Sequence, residues 1–311
     1  WTNMVATTNV AYQGQKSMEI SLIDKGNNST ISQFSQYGTP DGYLPVTPGQ
    51  LYSFGGFFKS GGISQPSEHW FEWNSTPTGE NPNARPLRRW PDYYTPNFVL
   101  GTNATDWTYA NRTFVLPAGF PNVELRHRYS ITAPGRGSIF IDNVFFRPLP
   151  SPSATNWTGL IPFGAAWRYS VDSPPANWFG IDFSDANWRV GAAKFGAGSG
   201  PTNITTPLPW QKPAYYFRGI FVAPTNSLEE LLLSATCSDG GGKGLEVYLN
   251  GVKLVTSGID AVTLQGNEVR HYDLAPFLEL LRPGATNTIA VVLNNIWQAT
   301  WDDVAFDVSL K

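Results

Sequence analysis

Residues 245–255 read Leu-Glu-Val-Tyr-Leu-Asn-Gly-Val-Lys-Leu-Val. Leu245, Val247 and Leu249 alternate with Glu246 and Tyr248, the period of a strand that buries one face. Asn250-Gly251 then supplies two residues that tolerate positive φ, the mark of a two-residue hairpin, and Val252 begins the returning strand. The same pattern recurs along the chain. Strands are predicted at 17–23, 50–60, 69–73, 111–117, 123–131 and 138–146, and again at 214–223, 229–236, 287–295 and 302–309, with Gly, Pro and Asn between them. One stretch has helical spacing: Asp273–Gly284, whose Leu and Phe recur at i, i+3 and i+4 and which Pro283-Gly284 ends. So many short strands and so little helix predict an all-β chain of two tandem β-sandwiches.

The boundary is expected where Arg147–Thr155 crowds three Pro and two Ser into nine residues. That places one domain at 1–149, a linker at 150–155 and a second domain at 156–311. Composition agrees with the class. Of 311 residues, 14% are aromatic and 14% charged, with 30 Gly, 25 Pro and a net charge of −3. Aromatic and turn-forming residues suit strands and their connections.

Several functions fall away. No run approaches the roughly 18 apolar residues of a membrane helix. No basic cluster offers a surface for nucleic acid. Cys237 is the single cysteine, so an intrachain disulfide and a thiolate metal cluster are excluded, and it reads as a small buried strand residue. His69, His127 and His271 lie far apart and form no metal-binding pair in sequence. There is no Gly-x-Ser-x-Gly elbow, and the glycine-rich 240–244 lacks the Lys-Ser/Thr of a phosphate loop and reads as a hairpin turn. Export is expected on two grounds. The chain starts at Trp1 without Met, as a processed chain does. Seven Asn-x-Ser/Thr sequons, at Asn27, Asn28, Asn74, Asn103, Asn111, Asn156 and Asn203, stand where 22 Asn and 49 Ser+Thr predict roughly 3.5 by chance.

The first half resembles the jelly-roll carbohydrate-binding modules of the broad family 4/9/22 group. GQKSMEISL (14–22) matches that group's small strand, VTPGQLYSFGGFFKS (46–60) its V-x-P-G-x-x-Y strand, and GSIFIDNVFFRPL (137–149) its closing G-x-x-y-I-D-D-V strand. The group's usual opening strand has no counterpart ahead of Trp1. The resemblance implies a jelly-roll sandwich, sugar binding and one structural calcium, for which Asp142 is the matching acidic residue. The second half resembles the galactose-binding-like jelly rolls attached to family 2 and family 35 glycosidases. The stretch 167–198, with 215–224, 245–255 and 284–295, carries that match. It implies structural roles for Trp188, Arg218 and Asn250.

Sugar recognition asks for aromatic planes against pyranose C–H faces and a few polar groups for hydroxyls, with affinity on the order of µM to mM. In the first half, SEHWFEW (67–73) offers Trp70 with Glu68 and Glu72 on one strand face and Trp73 with His69 and Phe71 on the other. RPLRRWPDYYTPNF (85–98) reads as a Pro-bounded loop presenting Arg88, Arg89, Trp90, Tyr93 and Tyr94. Phe57 is a weaker candidate. In the second half, Trp297 and Trp301, beside Asp302 and Asp303, and Trp178 are the aromatic candidates. Glu68 and Glu72, four residues apart on one face, lie about 13 Å apart, too far for either geometry of glycoside hydrolysis.

The expected function is therefore non-catalytic extracellular binding of a polysaccharide or glycan, within a larger secreted or cell-surface protein. A structural subunit of a self-assembling extracellular filament, sheath or adhesin is the first alternative. A polysaccharide-degrading enzyme with an unrecognised site is the second.

Overall fold

In the computed structural model the described residues are 2–8, 10–22, 31–37, 44–75, 88–90, 98–102, 106–131, 137–154, 157–238, 245–257, 269–295 and 304–311. The chain divides into two compact units, Trp1–Ala154 and Thr155–Lys311. Each is a pair of β-sheets around its own apolar core. Among the described residues no helix is long and apolar enough to cross a membrane.

In the first unit one sheet orders β1 (Thr2–Thr7), β2 (Ser17–Leu22), β11 (Gly137–Leu149), β5 (Leu51–Gly61) and β9 (Thr108–Val115). The facing sheet orders β3 (Ile31–Tyr37), β10 (Asn122–Ile131), β6 (Ser67–Ser75) and β7 (Arg88–Trp90). The short β4 (Leu44–Pro45) joins β10, and β8 (Phe98–Leu100) joins β6. Alternation aims Tyr52, Phe54 and Phe58 of β5 at Phe71 and Trp73 of β6 and at Val123, Leu125 and Tyr129 of β10, all in one buried cluster. The segment 85–98 was expected to be a loop. Its ends instead pair with β6, β8 along Ser67–His69 and β7 along Trp73–Ser75. Three-residue strands carry too little alternation to be seen in sequence.

Gly137, which opens β11, is fixed by two constraints. Its φ is +97°, and a Cβ there would lie 2.5 Å from the Gly62 carbonyl oxygen. Gly137→Ala is expected to cost at least about 2 kcal/mol, read as a lowered urea midpoint of the first unit.

The second unit pairs a sheet of β13 (Arg189–Ala192), β12 (Ala166–Ser170), β16 (Ala214–Val222), β21 (Thr286–Asn294), β18 (Leu245–Leu249) and β19 (Val252–Ser257) with a second sheet. That one orders β15 (Thr206–Pro207), β14 (Phe195–Ala197), β22 (Val304–Leu310), β17 (Leu232–Ser238) and β20 (Arg270–Asp273). Trp167, Phe195, Phe217 and Phe306 fill the space between, with Phe217 and Phe306 stacked 3.9 Å apart. Cys237 is buried in β17. The Asn250-Gly251 turn forms as read, with φ of 50° and 93° and Leu249 paired with Val252.

The helix expected at 273–284 is corrected to a six-residue 3-10 helix, Ala275–Leu280. Its start is claimed by sheet pairing. Asp273 lies opposite Leu232, the Leu274 N–H donates to the Leu231 carbonyl, and beyond the turn the Gly284 N–H donates to the Ala223 carbonyl. Tethers at both ends leave no length for α-helical turns.

Candidate functional site

Strands β6 and β10 lie side by side along eight residue pairs. Because directly opposed residues share a face, the register that turns Phe71, Trp73, Leu125 and Tyr129 inward turns Trp70, Glu72, Glu124 and Arg126 to the other side. Glu72 stands across from Arg126, and Glu124 lies two residues earlier on the same strand as Arg126. The Arg126 Nη2 donates to Glu124 Oε1 at 2.9 Å and is ion-paired with Oε2 at 2.8 Å. The face away from the core thus holds an indole, a guanidinium and two carboxylates. Three of the four are nearly closed to solvent, Trp70 at 5%, Glu72 at 3% and Glu124 at 6% exposure, whereas Glu68 at the strand start is exposed. Charged groups withdrawn in this way are held by pairing.

Trp70 and Trp73 were both named as sugar-binding candidates, on opposite strand faces, with one expected in the core and the other exposed. The structure corrects this, since both are buried. Trp73 belongs to the core, stacked on Phe114 at 4.1 Å with the Arg112 guanidinium 5.6 Å from its ring. Trp70 belongs to the opposite face but sits down in it. The physical reason is that β6 carries buried rings on both faces, so its alternation does not separate inside from outside. Arg88, Arg89 and Trp90 form β7, with Arg89 opposite Asn74 and Trp90 opposite Trp73 in register. Tyr93, Tyr94, Trp297, Trp301, Asp302 and Asp303 lie outside the described residues, as does the turn read at 240–244. Phe57 is buried, stacked on Tyr12 at 3.6 Å and set against Tyr109 at 5.0 Å.

Sequence separation hid a second feature of the same strands. His69 and His127, 58 residues apart, meet inside the core with ring centroids 5.1 Å apart and planes 6° from parallel. Nδ1 of His69 lies 2.9 Å from Nε2 of His127, and Nε2 of His69 lies 2.7 Å from Ser67 Oγ. Phe58, Phe71, Phe98 and Tyr129 surround the pair. Burial pushes His127 down to about 3, and burial together with the neighbouring His127 holds His69 well below the ordinary imidazole value. Their inward strand positions were the only sequence signal.

In the second unit Trp178, a candidate ring, is buried with Trp188, Tyr216 and Tyr248 over the outer side of the β16–β21–β18 sheet. Arg218, nearly inaccessible, organises that layer. It donates through Nε to Asp185 Oδ2 at 2.9 Å, through Nη1 to the carbonyls of Trp178 and, at 3.1 Å, Gly180. Asn250 links three segments, donating to the Leu280 carbonyl and Asn287 Oδ1 and accepting from the Thr288 N–H. These residues hold the fold, as their motif implies. One aromatic escaped the sequence reading. Trp210 is 61% exposed. Its turn is pinned by Tyr215 Oη donating to the Pro209 carbonyl (2.8 Å), Asn295 Nδ2 donating to the Lys212 carbonyl (3.0 Å) and a Lys212–Asp172 ion pair (3.0 Å). The three prolines at 207, 209 and 213 around it were the available signal.

Asp142, the expected calcium ligand, does a different task. Its Oδ2 accepts the N–H groups of Tyr12 (2.7 Å) and Gln13 (3.1 Å), and its Oδ1 accepts that of Asn143 (2.7 Å). It thereby closes the loop before β2 onto a bulge of β11, where the register shifts between Asp142 and Phe145. Calcium takes six to eight oxygen ligands, and N–H groups converging on the carboxylate occupy the place of a cation. Among the described residues no three His, Cys, Asp or Glu side chains gather to hold a metal. These residues do not fit a calcium site. Of the sequons, Asn27, Asn28, Asn103 and Asn156 lie outside the described residues. Asn74 is in β6, Asn111 is half-buried in mid-β9 and Asn203 is in an exposed turn at φ 57°.

No protein-family model matches the chain, and no curated protein matches it. The solved structures to which it is similar include carbohydrate-binding modules and family 2 glycosidases, the two groups its motifs resemble, and a bacteriophage tailspike domain. They include the CBM22-1 xylan-binding domain from Paenibacillus barcinonensis Xyn10C, 14% identical over 48% of this chain and 83% of that one, TM-score 0.31. A family 16 carbohydrate-binding module matches at 15% identity over 47% and 86%, TM-score 0.29. A beta-glycosidase from Bacteroides vulgatus matches at 18% identity over 49% of this chain and 20% of its own length, TM-score 0.33.

Proposed function

We propose that this chain binds a polysaccharide or glycan without transforming it, as part of an exported protein, and that the non-core face of β6 and β10 is the binding site. One observation carries the reading: Trp70 shares that face with Glu72, Glu124 and Arg126. A guanidinium donates to sugar hydroxyls and a carboxylate accepts from them; on this face Arg126, with 16% of its side chain open, and the exposed Glu68 reach solvent, while Trp70, Glu72 and Glu124 are buried beside them. The sequon excess supports export, and among the described sequons Asn203 is the exposed one.

The test is a printed glycan array at pH 7.5, including xylan fragments, the sugar named for the Paenibacillus module. Glu72→Gln and Arg126→Met are expected to weaken binding at least ten-fold with the fold intact by circular dichroism, since each removes a charge-assisted hydrogen bond. Binding unchanged in both places the site elsewhere. Trp210→Ala is a separate arm. The exposed ring contributes little to stability, within about 0.5 kcal/mol, and a loss of array signal in this variant reveals a second sugar contact on the carboxy-terminal unit.

A further inference from the structure

The two strands that carry Trp70, Glu72, Glu124 and Arg126 on one side carry the His69–His127 pair on the other. We propose that this buried pair is an acid-operated release for the binding face, staying neutral while the face is assembled and parting β6 from β10 when it takes up a proton. The proposal rests on the glycan-binding reading of that face for what is released, and on the pair's geometry for how.

The hydrogen bonds fix the neutral state. Nδ1 of His127 has no hydrogen-bond partner among the described residues. A buried N–H without an acceptor is the costlier orphan, so that nitrogen carries the lone pair and Nε2 carries the hydrogen. His127 Nε2–H then donates to His69 Nδ1, and His69 Nε2–H donates to Ser67 Oγ. One tautomer of each ring completes the chain. A proton fits nowhere in it. On His127 Nδ1 it makes a buried donor with no acceptor. On His69 Nδ1 it sets one N–H against another across 2.9 Å.

The surroundings give an imidazolium no help. The groups turned toward the pair are Phe58 of β5, Phe98 of β8, Phe71 and Ser67 of β6, and Tyr129 of β10. Tyr129 is the titratable group among these, and none is charged. Both rings have 0% exposure. Above about pH 3, where the folded His127 itself takes up a proton, protonation is therefore coupled to separation of the strands, and separation breaks the register that sets Glu72 across from Arg126. Each buried imidazole raises the opening constant up to ten-fold per pH unit below its ordinary value near 6.5, so the pair raises it up to about a hundred-fold per unit.

The experiment uses the full chain at pH 7.5, 6.5, 5.5 and 4.5 with two readouts, glycan-array binding and hydrogen exchange of the amides at 67–75 and 122–131. Exchange at those amides is expected to accelerate below pH 6.5, after correction for intrinsic rates, in step with loss of array signal. His127→Gln keeps a donor toward His69 and adds no titrating group, and His69→Phe with His127→Phe removes the pair at similar volume. The double variant is expected to hold its array signal to pH 4.5, and His127→Gln, which keeps His69, to lose it with a shallower pH dependence than wild type. Wild-type amides that stay equally protected down to pH 4.5 overturn the proposal, and this readout needs no variant to fold. A double variant that loses array signal over the same range as wild type also overturns it, assigning acid release to Glu72 and Glu124. An absence of array binding at pH 7.5 sinks the glycan reading instead, while the exchange profile still decides whether the pair parts the strands.

Discussion

Between pH 7 and pH 4 the amino-terminal unit is expected to lose about 3 kcal/mol of unfolding free energy through His127 alone, with His69 adding in the same direction. The sign follows from where the proton prefers to be. Both folded values lie below the ordinary 6.5, so the unfolded chain binds more protons throughout the interval. Stability is fully present above pH 6.5 and drains as the pH falls toward about 3, where the folded His127 itself titrates. Urea titrations across this range, followed by exchange of core amides of the first unit, measure the slope. In the His127→Gln variant the slope is expected to drop by about half. A flat profile for the wild type between pH 6.5 and 4 contradicts the neutral buried pair.

The second large effect belongs to the other unit. Asp185→Ala is expected to destabilise it by about 3–5 kcal/mol, because Arg218 is then left almost wholly buried without its carboxylate. Arg168 also reaches Asp185, at 3.3 Å, but it is partly exposed and water replaces its partner at little cost. The damage should concentrate at 173–188, since Arg218 ties the carbonyls of Trp178 and Gly180 to the sheet. A lowered urea midpoint with faster amide exchange in that segment is the expected outcome. Replacing the pair together, Arg218→Met with Asp185→Leu, should recover part of the loss, as an apolar pair leaves no buried charge. A single variant within 1 kcal/mol of wild type would mean that Arg218 is sustained by the carbonyls alone.

The sequence was most informative where structure is local. Leu245–Val255 announced both strands and their turn, and the glycosidase-like stretch 167–198 pointed to Arg218 as an internal anchor, which its bonds to Asp185 and two carbonyls bear out. It misled on β6. Trp70 and Trp73 looked like a choice between inside and outside, yet both rings are buried. It was silent where partners come from distant strands. Glu72 was named, but nothing near it in sequence announces Arg126 and Glu124, and nothing near His69 announces His127. The apparent helix at 273–284 shows the same limit, since its spacing was right for a helix but its ends were already bonded to β17 and Ala223.

What the sequence determined by itself is the all-β class, most of the strands and the hairpin at Asn250-Gly251, because side-chain alternation and backbone tolerance at a turn are properties of neighbouring residues. Only the tertiary structure decided which strand lies beside which. A shift of one residue between β6 and β10 would exchange the histidines for the carboxylates. The chemistry of each face is therefore written in the pairing of strands about fifty residues apart.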